Sequence, residues 1–225
     1  MGLTKKSFKQ VPRLNLRIES SWDDGHKLDM KTAELLKKYG IRGTFYIIVN
    51  NADREDHLSW KEIKCLRREF GFDIGSHTMS HPQDLKKLYE EDLWYEIQNS
   101  KDLLETVLGE NISKFCYPRG RYNEVVKSMV NKAGYVEART TIVGHLEKPK
   151  NTLEKHTTVH VYDGRPEYAQ KNWLVYAREK LAEAMKDPKD KVFHIWGHSE
   201  EVDRGNQWDN LETFFKELTE KVIII

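Results

Sequence analysis

The sequence predicts an α/β barrel built as one domain. A pattern of strand, loop and helix recurs from end to end, and roughly seven such units fit within the 225 residues. No internal repeat, low-complexity tract or Pro/Gly/Ser linker divides the chain. Buried strands alternating with amphipathic helices imply parallel strands joined by right-handed crossovers. In such barrels functional residues collect at the C-terminal ends of the strands.

The elements follow in order. Leu14 to Trp22 alternates apolar and polar residues like a strand and runs into an Asp-Asp-Gly turn. Leu28, Ala33, Leu35, Leu36 and Tyr39 then supply a helical stripe that Gly40 stops. Gly43 to Asn50 is a continuous apolar, β-branched and aromatic run, as in a strand buried on both faces. Ser59 and Glu62 are spaced as a capping box for a helix ending near Phe70, and Phe72 to Ile74 reads as a short strand. Apolar residues at helical spacing fill Asp84 to Leu108. KFCYP is the next strand, Asn123 to Ala133 a helix and Tyr135 to Thr140 a strand, while Thr141 to Val161 reads as loop and irregular strand. A helix from about Glu167 to Lys186, the strand KVFHIW and a last helix capped by Asp209 and Glu212 complete the chain.

Bulk properties narrow the function. With 37 Lys and Arg against 36 Asp and Glu, the net charge is +1, and no broad positive field exists to attract nucleic acid. No stretch is apolar enough to cross a bilayer, and the first residues lack the apolar core of a secretory signal, so a cytoplasmic location is expected. Cys65 and Cys116 fall on separate elements and read as two unpaired thiols. The terminal KVIII is a candidate buried strand or half of a subunit contact, which leaves the oligomeric state open.

Chemistry concentrates in a few motifs at predicted strand ends. Adjacent carboxylates at Asp23 and Asp24 repel unless a cation or proton sits between them, although Asp-Asp-Gly also makes an ordinary turn. His77 and His81 lie four apart after a strand. That spacing on a helical turn would let both imidazoles share one ion, while Gly75 and Pro82 favour a shaped loop. KVFHIWGHS delivers His198, a side chain that exchanges protons near neutrality, at a strand's end. His194 reads as a hydrogen-bonded core residue, and the aromatics Trp22, Tyr117, Trp196 and Trp208 as core or as sugar-stacking surfaces.

These blocks together resemble the polysaccharide deacetylases, the NodB homology domain of carbohydrate esterase family 4. ESSWDDGHKLDMKTAELLKKYGIRGTFYI is similar to the first block of that family, and GFDIGSHTMSH, FCYPRGRYN and a terminal strand ending in a histidine continue it over roughly Leu14 to His198. The resemblance implies a distorted (β/α)7 barrel and metal-dependent hydrolysis of N-acetyl groups on an amino sugar, oligosaccharide or polysaccharide. It makes Asp23 the general base, Asp24, His77 and His81 the ligands of one divalent metal, and His198 the general acid. Zinc is the expected ion, with cobalt, nickel, manganese or iron as alternatives. Arg119, through its backbone N–H, and Tyr117 become the oxyanion and substrate candidates.

Departures from the family pattern limit the carry-over. Cys116 stands where many members have an arginine that orients the base, and the fourth motif's Asp and Trp pattern is absent. Arg139 is the candidate replacement, since a guanidinium can grip a carboxylate from another strand. Glu200, Glu201 and Asp203 are equally eligible partners for His198, and Arg119 and Arg121 are candidates for the rim. Two other functions remain in view: hydrolysis of a small cyclic amide or ureide on the same barrel, and glycan binding without turnover.

Overall fold

Residues 14–223 are described by a computed structural model. Along the chain run β1 (Leu14–Asn15), β2 (Arg17–Trp22), α1 (Asp29–Lys38), β3 (Gly43–Ile47), α2 (Trp60–Arg68), β4 (Asp73–Ser76), α3 (Glu90–Trp94), α4 (Ser100–Leu108), β5 (Lys114–Cys116), α5 (Glu124–Lys132), β6 (Glu137–Arg139), β7 (Val159–His160), α6 (Trp173–Lys186), β8 (Val192–Gly197), α7 (Ser199–Arg204), α8 (Trp208–Lys221) and β9 (Val222–Ile223).

Seven parallel strands make one curled sheet in which β2 to β6 lie side by side in chain order and β8 and β7 follow on the other side of β2. The seam between β6 and β8 is spanned by one irregular segment: Lys155 bridges to Arg139, and four residues later Val159 pairs with Ile195 of β8. The result is a half-barrel of the expected distorted kind.

Alternation along the strands separates two environments. Trp22, Phe45, Ile74, Phe115, Ala138, Phe193 and Ile195 are buried, and Phe193 meets Phe214 of α8 at 5.9 Å between ring centres. Each buried apolar side chain of this size contributes about 1.5–3 kcal/mol, which makes this layer the main source of stability. The intervening positions are polar. Glu19, Ser21 and Asp23 on β2 and its end share a face with His194 on β8, Lys114 and Cys116 on β5 and Arg139 on β6. Ser21 Oγ is 2.8 Å from His194 Nε2, and Lys155 reaches Glu19 and Glu137 at 2.6 and 2.8 Å. Tyr46 fills the middle of this interior against Gly75, where a Cβ would lie 2.5 Å from the tyrosine ring. Only glycine fits there.

Several element boundaries differ from expectation. Chain 14–22 breaks at Leu16, and β1 leaves the sheet to pair with β9. The stretch 84–108 opens with a 3-10 turn, Leu85–Lys87, and carries a π turn, Tyr95–Asn99, between α3 and α4. The helix expected from Glu167 starts at Trp173, where Asn172 caps it by accepting from the Val175 N–H. Asp209 is not the cap of the last helix: it sits inside the first turn of α8, after Gln207, whose side chain makes no capping bond. The Ser59–Glu62 capping box is present in full. The two cysteines are free, Cys65 on α2 and Cys116 buried at the end of β5. Val222 and Ile223 form a strand, whereas Ile224, Ile225 and the leading segment 1–13, on which the reading of the N-terminus rests, lie outside the described residues. Among the described residues no helix is long and apolar enough to cross a membrane.

Candidate active site

The C-terminal strand ends converge on a cleft of about 320 Å³ lined by Asp23, Asp24, His77, His81, Arg119 and His198 among others. β2 delivers the two aspartates and β4 delivers His77, while β8 delivers His198. The backbone is bent to suit: Asp24, Thr78, His81 and Arg119 have φ of 75°, 69°, 56° and 55°. Left-handed conformations cost non-glycine residues roughly 1–2 kcal/mol each, a strain that persists where surrounding contacts enforce it. Here the contacts are visible. Val49 donates to Thr78 O at 3.2 Å, and the His81 N–H to Thr78 Oγ1 at 3.0 Å. Ser80 donates through its N–H and hydroxyl to Glu96, a buried carboxylate on the π turn, at 2.9 and 2.6 Å. The segment from His77 to His81 is therefore a pinned loop and not a helical turn, yet its two imidazole rings lie 4.7 Å apart.

Asp24 Oδ1 is 3.4 Å from His77 Nε2 and 3.9 Å from His81 Nε2, and it is buried without a hydrogen-bond partner. His77 Nδ1 lies 2.8 Å from the carbonyl of Cys116, which can only accept, so Nδ1 carries a proton and Nε2 is the ring atom turned towards Asp24. A carboxylate oxygen and a ring nitrogen facing each other suit a shared cation. The three donor atoms lie within 4.8 Å of one another. Two further groups meet that spacing, Asp23/His77/Cys116 and His160/His198/Glu201, but their members already bond to Arg139 or to each other.

Asp23 is 2% exposed and its Oδ2 accepts from Nη2 of Arg139, which is completely buried. The same Nη2 is 2.8 Å from Cys116 Sγ, and the guanidinium lies 4.4 Å above the Trp196 ring. Burial drives the Asp23 carboxyl upward, but Arg139, with His77 and His198, outweighs it and holds the group at about 2. Burial likewise pushes the Cys116 thiol well up, so it stays neutral beside the pair. Asp23 Oδ1 is buried without a hydrogen-bond partner, and the residue lines the cleft.

Glu201 resolves the choice among the three acids after His198. Its Oε2 is 2.8 Å from His198 Nδ1 and 3.1 Å from His160 Nε2. Burial opposes charge on His198, yet the Glu201 bond and the Asp23 and Asp24 carboxylates raise it to about 9. Burial instead lowers His160 to about 4, and its ring lies flat on Trp196 at 3.8 Å. His198 Nε2 points back to Asp24 Oδ2 at 3.8 Å. His160 and Glu96 carry no motif in the sequence. For His160 the usable signal is the alternation of polar residues on otherwise buried strands, which also marks Glu19 and His194, whereas Glu96 lies on a π turn and has none.

Of the remaining candidates, Tyr117 does not reach the cleft. Its ring is wholly buried against Tyr122, and its hydroxyl donates to Leu153 O at 3.0 Å, because alternation on β5 turns it to the apolar side. Arg119 lines the cleft, and its backbone N–H meets no carbonyl among the described residues. Arg121 is engaged with Gln83 O at 2.9 Å. Trp22 is core and Trp208 lies under Lys31, which leaves Trp196 as the one of the four aromatics that borders the cleft.

The family model for polysaccharide deacetylase matches residues 15–138, more than half of the chain. The chain belongs to the polysaccharide deacetylase family. YxkH of Bacillus subtilis (strain 168), which carries a polysaccharide deacetylase designation, is 29% identical over 137 residues, 60% of this chain and 48% of that protein. A gellan lyase from Bacillus sp is 24% identical over 80% of this chain and 7% of its own length, so the chain spans half or less of these relatives. Among solved structures, the Streptococcus pyogenes deacetylase PplD in complex with acetate is 26% identical with a TM-score of 0.57, covering 61% of this chain and 62% of that one. The polysaccharide deacetylase BC0361 from Bacillus cereus is 30% identical with a TM-score of 0.55, covering 61% and 45%. The T48 deacetylase with substrate shares the fold over 94% of this chain and 88% of its own, at 19% identity and a TM-score of 0.64.

Proposed function

We propose that this polysaccharide deacetylase family member hydrolyses the N-acetyl group of an amino sugar within a glycan, using one divalent metal. The observation that carries the proposal is the convergence of Asp24, His77 and His81 on one point, with Asp23 and His198 beside it. The donor set fits a metal. Asp24 Oδ1 lacks any other partner, and His77 is held by Cys116 O in the tautomer that coordinates. One carboxylate and two imidazoles suit zinc and its neighbours, and leave a position for water and the substrate carbonyl. When bound, the ion supplies Lewis-acid polarisation of the acetamide carbonyl and acidification of a water.

The protein's own groups do the remainder. Asp23, kept ionised by Arg139, accepts through Oδ1 the proton of the water whose oxygen bonds to the acetyl carbon. The backbone N–H of Arg119 donates to the carbonyl oxygen as negative charge develops there. His198, held protonated and oriented by Glu201, gives its proton to the departing nitrogen as the C–N bond breaks. Acetate and a free amine leave.

The test is acetate release from N-acetylglucosamine oligomers by the metal-loaded protein, with Asp23→Asn as the control. Release that depends on Asp23 supports the proposal. Binding of the oligomer without acetate release would reassign the protein to glycan binding, and turnover only of a cyclic amide or ureide would move it to the other hydrolase reading.

A further inference from the structure

Two arginines, Arg119 and Arg165, line the cleft, Arg121 follows two residues after Arg119, and the partners of the three differ. Arg121 is spent on Gln83 O, and Arg165 is pinned by Glu167 at 2.9 Å and by Thr141 O at 3.0 Å. The Arg119 side chain is exposed and has neither an ion pair nor a hydrogen-bond partner among the described residues. Of the four carboxylates that share the cleft, Asp23 pairs with Arg139, Glu201 with His198 and His160, and Asp24 faces the imidazoles of His77 and His81, while Glu200 is exposed; none of them pairs with Arg119.

The backbone that carries Arg119 is fixed at the cleft wall. The residue is held at φ 55° in the Pro118–Gly120 turn, and the next position packs so tightly on Thr141 that a Cβ on Gly120 would lie 2.2 Å from the threonine hydroxyl. Arg165 reaches the carbonyl of that same Thr141, and all three residues line the cleft. One wall of the cleft therefore carries two arginines and Thr141, and of the two arginines Arg119 is unpaired among the described residues. Planar forks of donors of this type match the oxygens of phosphate and carboxylate groups.

We propose that the substrate carries an anionic substituent, a phosphate or a carboxylate, close to its acetamide, and that Arg119 recognises it. This rests on the deacetylase reading for the identity of the reacting group, but not for the binding of the anion. A neutral oligomer leaves Arg119 without a partner, whereas an acidic sugar pairs it.

Selectivity is the readout. Acetate release is measured for N-acetylglucosamine, N-acetylglucosamine 1-phosphate and N-acetylmuramic acid, which separates phosphate from carboxylate. The wild-type protein is expected to favour at least one acidic sugar over the neutral one by about tenfold or more in kcat/KM, the size of one charge-assisted contact. Arg119→Gln should collapse that ratio through KM, and added salt should shrink it. A ratio near one in the wild-type protein, or a preference that survives Arg119→Gln, overturns the inference. Calorimetric binding of the same sugars to Asp23→Asn needs no turnover and keeps the two readings apart. Arg119-dependent binding of an acidic sugar with no acetate from any substrate upholds the inference and defeats deacetylation. Equal release from all three sugars defeats the inference and upholds deacetylation.

Discussion

Replacing Arg139 with methionine keeps most of the side chain's volume and removes the guanidinium that pairs with Asp23 in the barrel interior. Both partners are essentially without solvent, at 0% and 2% exposure, so the carboxylate left behind would be poorly hydrated. Breaking a buried pair on one side costs about 3–5 kcal/mol, because the remaining charge is left unsolvated. A domain of this size loses about 2–4 °C of Tm per kcal/mol, which predicts a fall of about 6–20 °C. The carboxyl also changes. In the wild-type protein it is held at about 2, so its stabilising contribution is present above the ordinary value of 3.8 and is lost as pH falls from there towards 2. Without Arg139, burial acts against the remaining histidines alone, the carboxyl rises, and protonation begins at higher pH. Calorimetric melting at pH 7 and the pH profile of acetate release read the two effects. The acid limb of the profile should move upward, and Arg139→Met combined with Asp23→Asn should recover much of the Tm while remaining inactive. A single variant melting within about 2 °C of wild type, with its acid limb unmoved, would refute the reasoning.

Glu19 faces burial that raises its pKa, outweighed by Lys155, His194 and Arg17, which leaves it at about 2. Glu19→Gln should therefore cost at most about 3 kcal/mol at pH 7, and the Tm difference from wild type should vanish as pH falls from about 4.5 towards 2; a difference constant over that range removes the explanation. Asp24→Ala and His77→Ala should each abolish binding of a stoichiometric divalent ion in elemental analysis, whereas Arg119→Gln should retain it. Equal metal content in all variants would place the ion elsewhere. Glu201→Gln takes away the largest influence that holds His198 near 9, so the basic limb of the activity profile should move to lower pH, with kcat reduced on the order of 10²-fold. An unmoved basic limb would show that Glu201 does not set the state of His198.

Legibility in the chain follows how local each feature is. The strand Gly43–Ile47 was readable because its residues are all buried and hydrophobicity alone reports that. The Ser59 cap was readable because its partner Glu62 lies three residues away. The start of α8 differs from the expected cap at Asp209, since a short acidic residue before a helix and one inside its first turn look alike in sequence. The π turn at Tyr95–Asn99, which swings Glu96 under Ser80, has no pattern of its own.

Order of strands and helices, the strand ends that carry Asp23, Asp24, His77, His81 and His198, and the family were all present in the linear chain, because periodicity and motif spacing are properties of neighbouring residues. Arg139 meets Asp23 from 116 positions away, and Glu201, not Glu200 or Asp203, bonds His198. Tyr117 turns into the core while Cys116 beside it turns inward. Those outcomes depend on strand register and on how the sheet curls, which fix the direction of each side chain. Curvature is settled by packing among residues far apart in the chain, such as Tyr46 against Gly75 and Lys155 between Glu19 and Glu137.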